Sequence, residues 1–331
     1  MVRPILVAAA LCICAIGAQA QSPKLTVYTY DSFVTEWGPG PAVEAAFEAE
    51  CGCELELVGA GDGAALLARL QLEGERSDAD VVLGLDTTLT AQAAATGLFV
   101  EHGITPRGLT LPIAWEDATF LPYDWGHFAF VYDNTLLADA PDSFEALLAA
   151  EELSIVIQDP RSSTPGLGLL MWVKAVYGDR AQDIWEALAP RIVTVTKGWS
   201  EAYGLFLEGE ADMVLSYTTS PAYHLIAEED PSKSAAAFAE GHYMQIEVAG
   251  ALAASDQPEL AAQFLEFMLT QPFQEVIPTT NWMYPAALSP EALPAGYEKM
   301  IQPDVSLLIP ADQVPAMKEE ALAEWLVALS K

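Results

Sequence analysis

The chain has 331 residues, with 14 Lys and Arg against 47 Asp and Glu, and a formal net charge of −33 at pH 7. With 52% hydrophobic residues it is apolar enough to fold, because disorder requires low hydrophobicity together with high net charge. The charge disfavours binding to nucleic acid, which needs a basic surface, and binding to anionic membranes. The length suffices for two domains of ordinary size.

Residues 1–20 are predicted to be a signal peptide. Arg3 supplies the positive n-region, residues 5–17 supply the apolar h-region, and Ala18 to Ala20 form a small-residue cleavage site. The apolar run is too short to span a bilayer comfortably. The pattern therefore predicts export with cleavage after Ala20.

From residue 25 onward, short apolar or β-branched segments alternate with helical segments, and this rhythm predicts a parallel sheet covered by helices. The first predicted strands and helices, in chain order, are Leu25–Tyr30, Ala42–Glu50, Glu54–Val58, Ala64–Glu73, Asp80–Leu85 and Thr88–Gly97. The third strand is almost wholly apolar, which is typical of a strand buried on both faces.

A long aromatic segment, Phe120–Asp133, interrupts the alternation. Beyond it the predicted elements are Ser143–Ala150, Ser154–Gln158, Pro165–Tyr177, Ala181–Leu188, Ile192–Thr196, Ser200–Leu207, Ala211–Tyr217, Tyr243–Ala253, Pro258–Leu269 and Glu319–Leu329. Two such arrays flanking long crossing segments predict two α/β lobes. A ligand would then lie between them, at the carboxyl ends of strands.

After removal of the signal peptide, Cys51 and Cys53 are the remaining cysteines. In an oxidising compartment this pair indicates a local disulfide. A redox or metal site is the alternative, but further ligands nearby in sequence are lacking.

Familiar catalytic motifs are absent from the sequence. The four histidines are far apart, and the HExxH, G-x-S-x-G, Walker A and dinucleotide-binding patterns do not occur. The chain is therefore expected to be a binding protein, with no catalytic residue and no metal site.

Aromatic, hydroxyl and acidic side chains concentrate in loops at the ends of predicted elements, where α/β folds bind ligands. The candidates are Tyr30, Trp37, Asp62, Gly63, Ser163, Thr164, Trp199, Tyr217, Thr218, Thr219, Ser220, Tyr223 and Trp282. Rings flanked by small polar groups suit a flat, cationic ligand, since each ring face over a cation contributes about 0.5–2 kcal/mol.

Several of these residues also have structural interpretations. Ser163 before Pro165 predicts a helix start, whose N–H groups either attract an anion or are simply capped. Asp62 between two glycines is an N-cap candidate. Four rings also suit core packing, rim packing or, for the tyrosines, ferric-ion binding: Trp199, Trp282, Tyr217 and Tyr223.

Nine segments together resemble the family of periplasmic thiamine-binding proteins of bacterial thiamine ABC transporters, which are type II periplasmic binding proteins. The segments are LTVYTYDSF, EWGPGP, CGCELELV, DVVLGLD, QDPRSSTPGLGLL, VTVTKGWSEAYGLFL, LSYTTSPAY, EGHY and PTTNWMYP. The likeness runs from Leu25 to Pro285 and weakens beyond.

The resemblance implies a type II periplasmic-binding-protein fold, with residues 21–121 and 251–288 in lobe 1 and residues 122–250 and 289–331 in lobe 2. It implies a monomeric periplasmic carrier that captures thiamine and its mono- and diphosphate, uses no cofactor and delivers its ligand to an inner-membrane permease. It places ligand contacts at all the candidate positions, with rings around thiamine, Asp62 against its positive charge, and hydroxyls of Ser163, Thr164 and 218–220 at its hydroxyethyl or phosphate end.

Three alternatives remain open. A secreted thiamine-degrading transferase of the same fold needs a cysteine nucleophile in the cleft. A ferric-ion binder would use Tyr217 and Tyr223. A polyamine binder would use more carboxylates and have less need of a helix start able to hold phosphate.

Overall fold

The computed structural model describes residues 22–330, so the predicted signal peptide lies outside the described residues. The described chain forms eleven strands and eleven α-helices. Eight strands form one curled sheet in the order β2-β1-β3-β9-β4-β7-β5-β6, and β8, β10 and β11 add short pairings to β4 and β9. The order divides the sheet into two arrays that meet at β9 and β4.

The first array contains the amino-terminal alternation of strands and helices. Its elements are β1 (Lys24–Thr29), α1 (Gly40–Cys51), β2 (Glu54–Gly59), α2 (Gly63–Glu73), β3 (Val81–Asp86) and α3 (Thr90–Ala94). β1 pairs in parallel with both β2 and β3. Each of the six residues of β3 is buried, which explains its nearly continuous apolar sequence.

Two long strands connect the arrays: β4 (Leu121–Asp133) and β9 (His242–Ala251). The amino-terminal half of β4 pairs antiparallel with β9, and its carboxyl-terminal half pairs antiparallel with β7. β9 in turn pairs antiparallel with β3. The predicted aromatic segment is therefore one strand that passes from one lobe to the other.

The second array is built on β5 (Ile155–Gln158), which pairs in parallel with β6 and β7. Its other elements are α4 (Phe144–Ala149), α5 (Thr164–Tyr177), α6 (Ala181–Leu188), β6 (Ile192–Thr196), α7 (Trp199–Leu207), β7 (Met213–Tyr217), α8 (Pro221–Ala227) and β8 (Lys233–Ala235). Trp172 of α5 and Trp185 of α6 are buried at its centre.

The remaining elements return to both arrays. They are α9 (Pro258–Phe267), α10 (Gln271–Gln274), β10 (Tyr284–Pro285), β11 (Ser306–Leu307) and α11 (Val314–Leu329). α9 and α10 pack against α1, whereas α11 packs against α5 and α6. The last helix thus lies on the second array, while the exact lobe boundaries stay a prediction.

Most predicted elements are present, but three helices differ from the prediction, and the short elements α10, β8, β10 and β11 were not predicted. α3 covers only part of Thr88–Gly97, because a turn over the preceding residues follows β3 directly. α8 was not predicted, because it begins at Pro221, only a short turn after the end of β7 at Tyr217. α11 begins five residues before the predicted Glu319.

Cys51 and Cys53 form the predicted disulfide between the end of α1 and the start of β2, with Cα atoms 5.2 Å apart. Gly52 between them adopts a left-handed conformation with φ of 63°, as the tight turn requires. Among residues 22–330, no helix is both long and apolar enough to cross a bilayer.

Candidate functional site

A cavity of about 480 Å³ lies between the two arrays, at the carboxyl ends of their strands. Its size falls within the range of about 300–1,000 Å³ that is typical of small-molecule sites. Lobe 1 contributes Tyr30 after β1 and Asp62 after β2, and lobe 2 contributes Trp199 at the start of α7. The cavity therefore occupies the position that α/β topology predicts for a ligand.

Aromatic rings cover the mouth of the cavity from both sides. Trp37 of lobe 1 faces Trp199 of lobe 2, with ring centroids 6.3 Å apart, and Trp199 stacks on Tyr203 at 5.0 Å. The Trp199 indole N–H donates to Ser216 Oγ at 2.8 Å, which fixes the orientation of the ring. Trp37 is 54% exposed, so its ring face is accessible from the cleft.

Trp282 reaches the cavity through an unusual backbone. A single π-helical turn, Ile277–Asn281, ends at Trp282, whose φ of 58° lies in the left-handed region. Such a conformation is disfavoured for a bulky residue, and both features are frequent at functional sites. Here they direct the indole into the cavity wall beside Tyr223, with ring centroids 5.5 Å apart.

Asp62 joins the two lobes at the edge of the cavity. Its carboxylate accepts hydrogen bonds from Ser163 Oγ at 2.7 Å and from the Trp199 backbone N–H at 3.1 Å. Beside it the Gly63 N–H donates to Thr164 Oγ1 at 3.2 Å. A Cβ at Gly63 would lie 2.6 Å from that hydroxyl oxygen, so glycine permits the close approach. We call these contacts the interlobe clasp.

The Asp62 carboxyl has a raised pKa because it is buried. Desolvation raises the pKa of this carboxyl to about 6, although the hydrogen bonds from Ser163 and Trp199 oppose the shift. Asp62 is the N-cap of α2 by position, but its side chain makes no capping bond to that helix. It occupies instead the amino-terminal ends of α5 and α7, where a negative charge is stabilised.

A buried hydrogen-bond network forms one wall of the cavity. Glu247 Oε2 accepts from the hydroxyls of Tyr123 at 2.8 Å and Tyr30 at 3.3 Å, and Asn281 Nδ2 donates to Asp124 at 2.6 Å. Burial raises the pKa of Glu247 to about 7, and it raises that of Asp124 well above its usual range. The two neighbouring carboxyls therefore retain a proton between them near neutral pH.

The electrostatic character of the cavity is acidic. Asp62 and Glu247 line it, and among the described lining residues there is no Lys, Arg or His. Seven aromatic rings line the same cavity: Tyr30, Trp37, Trp199, Tyr203, Tyr217, Tyr223 and Trp282. Carboxyl groups combined with exposed ring faces stabilise a flat organic cation and disfavour an anion.

The structure brings most predicted site residues together. The nine that line the cavity are Tyr30, Trp37, Asp62, Thr164, Trp199, Tyr217, Ser220, Tyr223 and Trp282. Gly63 and Ser163 lie just behind the wall, in the interlobe clasp. Thr219 is buried against Met283, while Thr218 borders a separate cavity of about 330 Å³.

Other lining residues were not predicted. They include Ser200, Tyr203, Gln245, Glu247, Asn281 and Met283. Ser200 follows Trp199, and Asn281 and Met283 flank Trp282. The sequence therefore identified the loops that contain these three residues, although it did not identify the residues themselves. Gln245 and Glu247 lie in β9, where two polar residues within an otherwise apolar, fully buried strand were the available signal.

The alternatives find little support in this geometry. Both cysteines of the described chain are joined in the disulfide, at the end of β2 opposite to the cavity. Burial, with nearby carboxyls, raises the pKa of Tyr217 well above its usual range. Within residues 22–330, no cluster of three His, Cys, Asp or Glu could hold a metal ion.

Comparison with known proteins agrees with the fold. Residues 35–275 match the family model described as bacterial extracellular solute-binding protein. The chain is 53% identical to the thiamine-binding periplasmic protein of Salmonella typhimurium strain LT2, over 97% of this chain and 98% of that one. It is 54% identical to the protein of that name from Escherichia coli K12, over 93% and 94%.

A solved structure described as a periplasmic thiamin binding protein is 53% identical and superposes with a TM-score of 0.91. The match covers 94% of this chain and 97% of that one. These relatives are binding proteins rather than enzymes, and they are periplasmic, as is this chain. The protein therefore belongs to the bacterial extracellular solute-binding proteins, within the family of thiamine-binding periplasmic proteins, and has their type II periplasmic-binding-protein fold.

Proposed function

We propose that the protein captures thiamine in the periplasm and delivers it to the permease of an ABC importer. One observation carries the proposal: a cavity lined by seven aromatic rings and two carboxyl groups, with no basic side chain among its described lining residues. Thiamine joins a flat aminopyrimidine to a positively charged thiazolium, so its shape and charge suit this wall. The relatives named for thiamine binding support the same ligand.

Rings from both lobes would enclose the two heterocycles. Trp199 is held by Ser216 and backed by Tyr203, so its remaining face is available to a ligand. Trp37 approaches from lobe 1, and Tyr223 with Trp282 provides a second pair of rings on the other side. A desolvated thiazolium over such faces gains up to about 2 kcal/mol per ring.

Asp62 would provide the principal counter-charge. Its carboxylate lies in the cavity wall and is already oriented by Ser163 and the Trp199 N–H. A bound cation would favour the ionised form and would draw the pKa back from about 6 toward its ordinary value. Ligand binding would therefore release a proton near pH 6 and strengthen the contact between the lobes.

The mono- and diphosphate esters are included as ligands. Their phosphate would meet the hydroxyls of Ser200, Ser220 and Thr164, because Asp62 already occupies the amino-terminal ends of α5 and α7. Because Lys and Arg are absent from the described lining, the phosphate would gain little from charge pairing. We therefore expect thiamine to bind more tightly than either ester.

Delivery would follow closure of the two lobes over the ligand. Residues 21–121 and 251–288 would move as one body and residues 122–250 and 289–331 as the other, with β4 and β9 crossing between them. The permease would recognise the closed monomer, whose lobes the interlobe clasp and the ligand hold together.

Isothermal titration of the mature protein tests the proposal. The protein is unfolded and refolded to remove carried-over ligand, and thiamine, its two phosphate esters, putrescine and ferric ion are titrated separately. We expect one-to-one saturation by thiamine and both esters at submicromolar concentration, with no heat from putrescine or ferric ion. Folded protein that binds neither thiamine nor its esters contradicts the proposal.

A further inference from the structure

Gln245 is a buried polar residue whose amide lacks a partner. It lies in the middle of β9, is 0% exposed, and lines the cavity. Neither its Nε2 nor its Oε1 has a hydrogen-bond partner among the described residues. Burial of a polar group without a partner is costly, so an amide in this position indicates an unmet hydrogen-bonding function.

The sequence around Gln245 explains why the amide is free. Its cross-strand neighbour on β4 is Gly126, which offers no side chain. The space above Gly126 is filled by the Met283 thioether, since a Cβ there would lie 2.7 Å from the Met283 methyl group. Glu247, two residues along the same face, is engaged with Tyr123 and Tyr30. Nothing in this surrounding wall satisfies the amide.

A primary amide presents one donor and one acceptor side by side. The complementary edge is a ring nitrogen next to an exocyclic amino group, as in the pairing of glutamine with adenine N7 and N6. An aminopyrimidine carries this edge, where its amino group adjoins a ring nitrogen. The thiazolium ring has no such edge, so the amide distinguishes the two halves of thiamine.

We propose that Gln245 determines specificity by pairing both amide atoms with the amino group and the adjacent ring nitrogen of the ligand's aminopyrimidine. The inference rests on thiamine being the ligand. The pairing orients the aminopyrimidine toward β9 and leaves the thiazolium toward Asp62 and the rings at the mouth of the cavity. Gln245 thereby gives selectivity for the base, and Asp62 gives selectivity for the charge.

Two thiamine analogues test the proposal on the unaltered protein. One lacks the amino group, and the other has a CH group in place of the ring nitrogen next to it. A bidentate pair discriminates by about tenfold to a hundredfold, so the dissociation constant of each analogue should exceed that of thiamine by at least tenfold. Equal affinity for thiamine and both analogues would overturn the proposal without calling thiamine binding into question.

The substitution Gln245→Met completes the test, because methionine keeps the length of the side chain and removes both polar atoms. The variant should bind thiamine at least tenfold more weakly, and its preference for thiamine over either analogue should fall below threefold. Gln158→Met is the matched control: Gln158 is also buried in a strand, but it lies outside the cavity wall. The control should keep the full preference.

The outcomes separate this inference from the proposed function. Failure of the unaltered, folded protein to bind thiamine defeats the proposed function, and the inference with it. Normal binding by unaltered protein and an undiminished preference in Gln245→Met defeats the inference alone. If Gln245→Met does not fold, as judged by circular dichroism, the analogue titrations on the unaltered protein decide the matter.

Discussion

Asp62 accepts hydrogen bonds from the opposite lobe while its carboxylate also lines the cavity, so we expect this residue to couple closure of the lobes to the charge of the ligand. Burial alone disfavours the ionised form and raises the pKa to about 6. In ligand-free protein with the interlobe clasp formed, this group stabilises the structure most at low pH, and the contribution is lost as the pH rises through 6. A bound cation reverses the preference, because it stabilises the ionised carboxylate.

Thiamine affinity should therefore rise with pH over the range in which the Asp62 carboxyl ionises. Between pH 5.5 and 8 we expect the dissociation constant to fall by roughly threefold to tenfold, most steeply below pH 6, since binding releases a proton there. Glu247, with a pKa raised to about 7, acts in the same direction. Titrations in buffers of different ionisation enthalpy measure both the affinity and the number of protons released.

The substitution Asp62→Asn distinguishes the contribution of Asp62 to the pH dependence from that of Glu247. Asparagine retains a hydrogen-bond acceptor for Ser163 and the Trp199 N–H but carries no charge. The variant should bind thiamine about tenfold to a hundredfold more weakly at pH 7.5, as expected for loss of a charged hydrogen bond. The pH dependence that remains should be that of Glu247, whose pKa is raised to about 7, and a pH profile unchanged from that of the parent would show that Asp62 is not a titrating group.

Trp199 is predicted to be the principal ring contact, because its orientation is fixed on one side by Ser216 and on the other by Tyr203. Trp199→Ala should raise the dissociation constant for thiamine at least tenfold, about 1.4 kcal/mol or more. Because the half-buried ring lines the cleft but also packs against the core around Tyr203, the variant should still fold, with a lowered thermal midpoint. Unchanged affinity in a folded variant would remove Trp199 from the site.

At the scale of elements, β2 separates the disulfide from the cavity. Cys53 precedes the strand and Asp62 follows it three residues after its end, so roughly 20 Å of strand lies between them. Closing so short a loop constrains the unfolded chain little. The double variant Cys51→Ser, Cys53→Ser should lose about 1–2 kcal/mol of unfolding free energy and should bind thiamine within twofold of the parent, as urea unfolding and titration would show.

A catalytic or redox role for the cysteines predicts the opposite result. Loss of ligand binding in the double-serine variant, with a normal unfolding transition, would place the cysteines at the site. Thiol titration of native protein provides an independent check, because a disulfide leaves no reactive thiol.

The elements best predicted from the sequence were those whose local pattern agrees with their environment. β3 is buried on both faces and reads as a continuous apolar run, and the strand-to-helix loops carry the expected Tyr30, Asp62 and Trp199. The short helix α8 was missed because its seven residues follow β7 almost at once. Local pattern does not distinguish so short a helix from the loop that contains it.

The wall formed by β9 could not be predicted for a different reason. Gln245 and Glu247 acquire their roles from partners far along the chain, namely Gly126 and Tyr123 on β4 and Tyr30 after β1. The register between β4 and β9, together with β3 between β9 and β1, brings these groups together. Sequence patterns report local periodicity, whereas cross-strand register depends on the whole sheet.

For the molecule as a whole, a net charge of −33 creates a field that attracts cations from a distance. The association rate of thiamine should therefore fall roughly threefold to tenfold between 10 mM and 500 mM salt, because salt shortens the range of that field. Stopped-flow tryptophan fluorescence measures the rate. Asp62→Asn should retain most of this salt dependence, since one charge in 33 contributes little to the field, and a salt-independent rate would argue against steering.

Closure of the lobes should also depend on hydrogen bonds between the lobes themselves. Ser163 is fully buried behind the cavity wall, and its hydroxyl joins lobe 2 to Asp62 of lobe 1. A bond that forms as the lobes close contributes after the encounter, so its loss should affect dissociation more than association. Ser163→Ala should therefore speed thiamine release by roughly threefold to tenfold, the effect of about one hydrogen bond, with an association rate within twofold of the parent.

The neighbouring Ser162 provides the matched control, because its hydroxyl donates to the Lys197 carbonyl within lobe 2 at 2.7 Å and does not cross the cleft. Ser162→Ala should leave both rate constants unchanged within twofold. A slower association rate in Ser163→Ala, or equal effects of the two substitutions, would mean that the hydroxyl shapes the open lobe rather than holding the closed one. Faster release confined to Ser163→Ala would establish that closure around the ligand is stabilised by the interlobe clasp itself as well as by the rings and charges of the cavity.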